Sequence, residues 1–370
     1  MDMKTLTHAE TGTQTTVAHG LDLLALTRWL APHLGAELVG LRAERISGGQ
    51  SNPTWRLSSG DSAWVLRAKP GPAANLLPSA HAIEREYRLL QALQGSPVPV
   101  PRARVLCEDE SVIGAAFYVM DWVDGRILRD PCLPELPPSD RAAYHQEALR
   151  VLAVLHGVDW RAAGLQDFGR RSGFFGRLIH RWGSQYRASV VEPVPAMEYL
   201  AKWLPVHIPD GADDEGTTCL THGDYRLENL MFHPERTSVV AVLDWELATL
   251  GHPLSDLAYH CLAWHLPCGV LRGLGGQDLT ALGIPSEREH IESYCAQTGR
   301  TVDAVLADWP FYLACNLFRL GAILFGIAAR VREGTAANPD ALEIARMAVP
   351  VAELGWAVAQ GAGAHAQGPG

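Results

Sequence analysis

Lysine is nearly missing from this chain of 370 residues: Lys4, Lys69 and Lys202 stand against 28 arginines. A phosphate-binding P-loop needs a lysine inside G-x-x-x-x-G-K-[ST], where its ammonium reaches the terminal phosphates. Lys4 follows Met-Asp-Met, Lys69 precedes Pro70 and Lys202 precedes Trp203, so none fits and a Walker-type NTPase is excluded. A Schiff-base lysine enzyme is left with very few candidates. Paired cysteine motifs are also lacking. Cys107, Cys132, Cys219, Cys261, Cys268, Cys295 and Cys315 are scattered, odd in number and contain no C-x-x-C. That usage is expected of reduced thiols in a cytoplasmic protein. His260, Cys261, His265 and Cys268 lie close together, but their spacing matches no zinc site, and buried packing is the expectation.

Basic runs are absent as well. With a net charge of −10 and no cluster of consecutive Lys and Arg, nucleic acid is not expected as a partner. No long uncharged apolar run occurs either. The most apolar segment, FYLACNLFRLGAILFGIAARV, is interrupted by Arg319, so a buried helix is expected and a membrane span is not. Residues 1–20 have no apolar core and read as a disordered leader instead of a secretory signal. Residues 361–370, GAGAHAQGPG, read as a disordered tail.

Between these ends the composition is that of a folded chain, with 47% hydrophobic and 19% charged residues. Residues 21–34 have apolar positions at helical spacing. ERISGGQSNPTWRLSS reads as strand, Gly-rich turn, strand, and SAWVLRAKP as a third strand. HAIEREYRLLQAL has the charge pattern and period of a helix, and VPVPRARVLCED and AAFYVMDWVDG read as further strands. After residue 123 the character changes. Long amphipathic helices are expected in DRAAYHQEALRVLAVLHGV, GFFGRLIHRWGSQYRAS and PAMEYLAKWLP. Further helices are expected in SDLAYHCLAWHL, SEREHIESYCAQTG and 303–331. TTCLTHGDYRLENLMFHP and SVVAVLDWELATLG read as short strands around polar loops. The expected class is α+β: a β-rich N-terminal lobe over 21–123 and a larger, mainly helical lobe over 124–360.

The strongest chemical signal is THGDYRLENLMFH followed by VVAVLDWE. Kinase catalytic loops follow H-x-D-x-x-x-x-N, then a short strand, then a metal-binding Asp. His222, Asp224 and Asn229 have that spacing, and Asp244 follows the apolar run 239–243. Phosphoryl transfer needs a carboxylate to orient the acceptor hydroxyl and magnesium to neutralise phosphate charge. Asp224 is the candidate base, and Asn229 and Asp244 are the candidate Mg2+ ligands through oxygen. Arg226, two residues after the base, is placed to reach a transferring phosphoryl group.

The N-terminal lobe supplies nucleotide-binding candidates. Gly48, Gly49, Gln50, Ser51 and Asn52 link two strands, where backbone N–H groups can cover ATP phosphates. A kinase also needs a strand cation paired with a helix Glu. The third strand offers Arg67 and Lys69, which share one face because side chains alternate; the helix offers Glu84 and Glu86. Residues 117–123 are the expected hinge, with backbone groups of Asp121, Trp122 and Val123 toward adenine.

On these stretches the sequence resembles the aminoglycoside phosphotransferase and choline kinase superfamily. More narrowly, it is similar to the kinase-like domain that precedes an acyl-CoA dehydrogenase domain in some animal proteins. GGQSNPTWRL, WVLRAKPG, LLPSAHAIEREY, FYVMDWVDGRILRD, THGDYRLENLMFHP and VVAVLDWELATLGHPLSDLA carry the resemblance over about residues 36–335. It implies a two-lobed protein-kinase-like fold, ATP and Mg2+ as cofactors, Asp224 as base, and Asn229 and Asp244 as metal ligands. It aligns Glu86 with the helix Glu and Arg67, not Lys69, with the usual strand lysine. That is a departure, since Arg keeps the charge without the point-like geometry. His222 and Asp256 become scaffold residues, Asp256 being equally readable as a helix N-cap.

The acceptor is expected to be a small molecule. The chain passes from Asp244 to the 251–256 loop with little room for an activation segment, and A-P-E is absent. Between residues 161 and 187 six arginines face one acidic residue, Asp167. Arg177 and Arg181 sit four apart with Trp182 alongside, which suits an anionic, phosphate-bearing acceptor such as a coenzyme A thioester. The resemblance likewise implies hydroxyacyl-CoA substrates. An antibiotic or amino-alcohol kinase and a nucleotide-binding pseudokinase stay open as alternatives.

Overall fold

The structure is a computed structural model that describes residues 17–18, 21–35, 38–46, 52–70, 83–336 and 338–361. Apart from residues 17–18 and Gly361, the expected leader and tail lie outside the described residues, as do Gly48, Gly49, Gln50 and Ser51. The chain divides into two compact units, one within Met1–Gln91 and Pro101–Trp122, the other within Ala92–Val100 and Val123–Gly370.

In the first unit β1 (Val17–Ala18) pairs antiparallel with β2 (Leu21–Asp22). The helix expected from residue 21 starts two residues later, as α1 (Leu23–Leu34). Asp22 is its N-cap, accepting hydrogen bonds from the Leu24 and Ala25 amides at 3.0 Å each. A five-stranded antiparallel sheet follows: β3 (Arg42–Arg45), β4 (Thr54–Ser59), β5 (Ser62–Ala68), β6 (Ala103–Cys107) and β7 (Phe117–Asp121), in the order β3-β4-β5-β7-β6. Helix α2 (Ile83–Leu93) lies between β5 and β6 in the chain. The alternating strands send Trp55, Leu57, Trp64 and Leu66 into one core with Leu26 and Leu30 of α1. β7 does not alternate: Phe117, Tyr118 and Val119 are all buried. Trp29 of α1 meets Phe117 at 5.2 Å and Tyr87 of α2 meets Tyr118 at 6.0 Å, so this strand is covered on both faces.

The second unit is mainly helical. It holds β8 (Arg126–Ile127), α3 (Pro138–His156), α4 (Phe174–Ser189), α5 (Pro195–Trp203), β9 (Cys219–Thr221), β10 (Leu230–Phe232), β11 (Val239–Val242) and β12 (Thr249–Gly251). Then come α6 (Pro253–His265), α7 (Leu279–Leu282), α8 (Glu287–Thr298), α9 (Val302–Arg332), α10 (Ala341–Arg346) and α11 (Ala348–Ala359). The strands form two small antiparallel ladders, β11-β10-β8 and β12-β9. α9 is the apolar segment noted above. It has the length and composition of a membrane span, yet 78% of its most apolar window is buried inside the protein, against α4, α6 and α11. β8, α7, α10 and α11 were not anticipated. They are two to twelve residues long, and Pro350 in the first turn of α11 reads as a breaker although a first turn tolerates it.

Candidate active site

The two ladders of the second unit hold two loops against each other. One runs from β9 to β10 and carries residues 222–229; the other runs from β11 to β12 and carries residues 243–248. The antiparallel pair Leu230–Val242 is extended by the Leu243 amide donating to the Asn229 carbonyl at 2.8 Å. Asn229 and Asp244 therefore leave the same end of one hairpin. At the other ladder Thr221 pairs with Thr249, and its hydroxyl donates to the Thr249 carbonyl at 2.9 Å.

His222 stitches the loops together. Its Nε2 meets the Leu243 carbonyl at 2.8 Å, and its Nδ1 accepts the Asp224 amide at 3.2 Å. Gly223 has φ +83, and a Cβ there would stand 2.6 Å from the Leu247 carbonyl oxygen, so only glycine lets the loops approach this closely. Asp244 itself has φ +62, a left-handed conformation uncommon outside glycine and best tolerated by Asp and Asn. The turn aims its carboxylate differently from the strand that precedes it.

Asp224 is largely buried, with 16% of its side chain exposed. The Asn229 Nδ2 donates to its Oδ2 at 2.9 Å and to its carbonyl at 2.8 Å, which directs the Asn229 Oδ1 to the opposite side. Arg226 Nε lies 3.5 Å from Asp224 Oδ1, and Arg226 Nη1 lies 2.6 Å from Glu228. Arg272 also pairs with Glu228 at 2.6 Å. Asp224 is thus fixed on one oxygen by an amide and faces a half-exposed guanidinium with the other.

Asp256 is not the N-cap that its position allowed. His252 caps α6, and the Asp256 carboxylate accepts the His222 amide at 2.6 Å and the Gly223 amide at 2.9 Å. Burial alone would raise its pKa. The hydrogen bond and charge of His156, then His222, reverse this and hold it below the ordinary carboxylate value. His156 Nε2 lies 3.4 Å from the carboxylate and its Nδ1 lies 2.7 Å from the Tyr294 hydroxyl. Tyr225 anchors the loop from beneath, its hydroxyl donating to the Ala148 carbonyl at 2.6 Å. Sequence reasoning did not single out His156, Tyr294 or Tyr225; the first two lie far from the motif in the chain.

In the first unit Arg67 Nε pairs with Glu86 at 3.1 Å, with side chains 14% and 5% exposed. Lys69 pairs with Glu84, and both are partly exposed. The two cations share a strand face as alternation requires, and each has its own helix carboxylate. Asn52 is buried, and its carbonyl accepts the Thr54 hydroxyl at 3.0 Å. In the expected hinge, the Asp121 amide donates to the Arg102 carbonyl at 2.9 Å and the Trp122 amide to the Ala63 carbonyl at 3.3 Å. The Asp121 carboxylate takes both arms of Arg104, at 2.6 and 2.9 Å, and the Trp122 ring lies under Arg56 at 4.8 Å. Two of the hinge amides are therefore committed within the first unit, and Val123 belongs to the second.

The basic segment is less uniform than its composition. Arg161 and Arg171 both pair with Glu215, at 3.0 and 3.5 Å. Arg177 donates to the carbonyls of Ser172 and, at 3.2 Å, Arg170. Arg181 is exposed and lies over the buried Trp182 ring at 5.4 Å. His260 and Cys261 are buried, His265 Nε2 lies 2.8 Å from Glu287, and Cys268 is exposed. All seven cysteines are free.

A carboxylate and an amide on one loop and a second carboxylate on the facing loop, in a chain with a β-rich and a helical unit, are the parts expected of a two-lobed, protein-kinase-like phosphotransferase. The chain belongs to the phosphotransferase enzyme family APH, whose match runs over residues 42–303. It is similar to mouse acyl-CoA dehydrogenase family member 10, with 44% identity over 335 residues. That match covers 90% of this chain but 30% of the mouse protein, so the chain spans under a third of that relative. A solved structure from Ralstonia eutropha, described as a candidate aminoglycoside phosphotransferase, is 46% identical with a TM-score of 0.81, covering 92% of this chain and 99% of that one. The aminoglycoside phosphotransferase APH(4)-Ia, solved with ADP and hygromycin B, shares the fold at 13% identity and a TM-score of 0.57, over 90% of this chain and 98% of that one. The chain is thus a phosphotransferase-family domain.

Proposed function

We propose that this kinase transfers the γ-phosphate of ATP to the hydroxyl of an anionic hydroxyacyl acceptor, a hydroxyacyl-CoA or the related hydroxy acid. The observation that carries the chemistry is Asp224, fixed by Asn229 on one oxygen and 3.5 Å from the Arg226 guanidinium with the other. Its carboxylate accepts the hydroxyl proton as the acceptor oxygen bonds to the γ-phosphorus. The bond to the bridging oxygen breaks, and ADP leaves with that electron pair. Asn229 Oδ1 and the Asp244 carboxylate are hard oxygen donors at one hairpin end. Two such donors without a full protein cage fit Mg2+, which takes its remaining ligands from phosphates and water. When bound, the ion would neutralise phosphate charge. Arg226, half-exposed beside Asp224, is assigned to the transferring phosphoryl group; Arg67, braced by Glu86, and Asn52 to the nucleotide. Gly48, Gly49, Gln50, Ser51 and the Val123 amide complete the proposed nucleotide contacts.

The acceptor class rests on two supports. α4 presents Arg181 on Trp182, with Arg177 one turn earlier, and the mouse relative is an acyl-CoA dehydrogenase family member. The seven free thiols support a cytoplasmic setting. The test is a substrate panel of hydroxyacyl-CoAs, free hydroxy acids, choline, aminoglycosides and macrolides with wild type and Asp224→Ala. We expect turnover of the hydroxyacyl acceptors, reduced at least ~100-fold by the substitution, while Mg2+–ATP binding by calorimetry persists. Turnover confined to choline or an antibiotic would refute the acceptor; full activity of Asp224→Ala would refute the mechanism.

A further inference from the structure

Arg319 is the charge in the middle of the apolar stretch of α9, and it is buried, with 5% of its surface exposed. Among the described residues its guanidinium forms no ion pair and no hydrogen bond, and its Nε is shut off from solvent without an acceptor. Instead it lies between two rings, 4.4 Å from the Tyr259 centroid and 5.5 Å from the Trp182 centroid. Arg181 faces the same Trp182 at 5.4 Å and likewise has no carboxylate partner. Two guanidinium groups thus meet at one indole with no anion between them.

This arrangement is costly for the protein alone. A guanidinium cannot shed its proton to escape burial. Ring faces attract cations, but they replace a paired carboxylate only in part. A core helix position that needed only volume would be filled better by Met or Leu. An anionic partner arriving from outside would account for the retained charge.

Its location says which partner. Tyr259 is three residues after Asp256 on α6 and so shares its face. Asp256 holds the amides of His222 and Gly223, which places Tyr259 beside the loop that carries Asp224. The Asp224 charge, after burial, helps to raise the Tyr259 phenol above its usual pKa. From Asp224 the order is therefore base, Tyr259, Arg319, Trp182, Arg181, all within one unit.

We propose that Arg319, with Arg181 at the rim, binds the acyl oxygen of the acceptor, a carboxylate or a thioester carbonyl, while the acceptor hydroxyl lies at Asp224. This rests on the acceptor class proposed above and gives that class its binding residue. Tyr259 and Trp182 would form the walls that hold the guanidinium plane and shed water from it.

The test compares wild type, Arg319→Met and Arg319→Lys on three acceptors: a hydroxy acid, its coenzyme A thioester, and a diol of matching length without the acyl oxygen. Thermal unfolding without acceptor is measured alongside. For Arg319→Met we expect the acceptor KM to rise at least 30-fold for whichever acyl acceptor wild type uses, with Lys intermediate. The diol should be a poor substrate whose KM moves less than two-fold between the proteins. The Tm of Arg319→Met should equal or exceed that of wild type. The proposal is overturned if acyl-acceptor KM is unchanged in Arg319→Met. It is equally overturned if Tm falls and all three acceptors suffer alike, which marks a structural role. If wild type uses neither the acid nor the thioester, the acceptor class itself fails and takes this assignment with it.

Discussion

Arg67 and Lys69 show how far single residues separate once burial is known. Arg67 lies on β5 and Lys69 just past its end, and both meet a glutamate of α2, but the Arg67–Glu86 pair is nearly enclosed while Lys69–Glu84 is open. Removing one member of a buried pair leaves the other charged and unsolvated, a cost of about 3–5 kcal/mol. An exposed pair contributes about 0–1 kcal/mol. Arg67→Ala is therefore expected to lower stability in urea unfolding by several-fold more than Lys69→Ala, and to raise the KM for ATP more. The reverse order would return the nucleotide role to Lys69. Such residues were legible because the motif is local: His222, Asp224, Asn229 and Asp244 fall within 23 positions of one another. His156, Tyr259 and Arg319 come from α3, α6 and α9 and converge only in three dimensions. The signal for Arg319 was present, as a lone charge in an apolar run, but sequence alone gives no reason to read it as more than an interruption.

Among the elements, α6 matters most to the site, because its first turn supplies the acceptor for two loop amides. Backbone N–H groups at His222 and Gly223 have no strand partner there, and Asp256 satisfies both. Asp256→Ala removes that acceptor and leaves two buried donors, at about 1–3 kcal/mol each. We expect a loss of about 2–5 kcal/mol in urea unfolding, faster amide exchange over 222–229, and a fall in kcat larger than any change in the KM for ATP. Normal exchange in this loop would count against the brace. The pH window follows from the sign of the shift. A carboxylate held below its unfolded value stabilises above about pH 4 and loses that contribution only as pH falls through its native value. Helices and strands with clean periodicity were legible, including the order of the five-stranded sheet's elements along the chain. Asp22 shortened α1 by local capping, and β8 and α7 are too short for any period to register.

Across the whole molecule the sequence pattern changes after residue 123, but the second compact unit also takes Ala92–Val100, which that pattern did not signal, and the make-up of the helical core was not legible either. That core contains histidines drawn from separate elements. His145 of α3, His260 of α6 and His290 of α8 lie together, with His260 stacked on His290 at 5.1 Å and His145 6.5 Å from His290. His252, the α6 cap, is stacked on Tyr312 at 5.3 Å. Burial pushes His145 down to about 4 despite its contact with the Pro131 carbonyl; burial and then the charge of His145 push His260 down to about 3. Burial, then Arg300 and His156, push His252 down to about 3, and His290 is also well below its usual value. Each is neutral in the native protein and titrates near 6.5 once unfolded. Below pH 6.5 the unfolded chain therefore binds protons that the native state refuses, so stability is full above that pH and falls as the solution is acidified toward pH 4. Each such histidine contributes a slope of about 1.4 kcal/mol per pH unit. This window lies above that of Asp256, so the two effects can be told apart. Urea unfolding at pH 7, 6 and 5 should show stability declining with several protons' worth of slope, and His260→Phe, which keeps an aromatic ring in place, should reduce the slope by about one proton. An identical slope in the variant would mean that His260 is protonated inside the native core, and the neutral histidine cluster would have to be abandoned as the source of acid sensitivity.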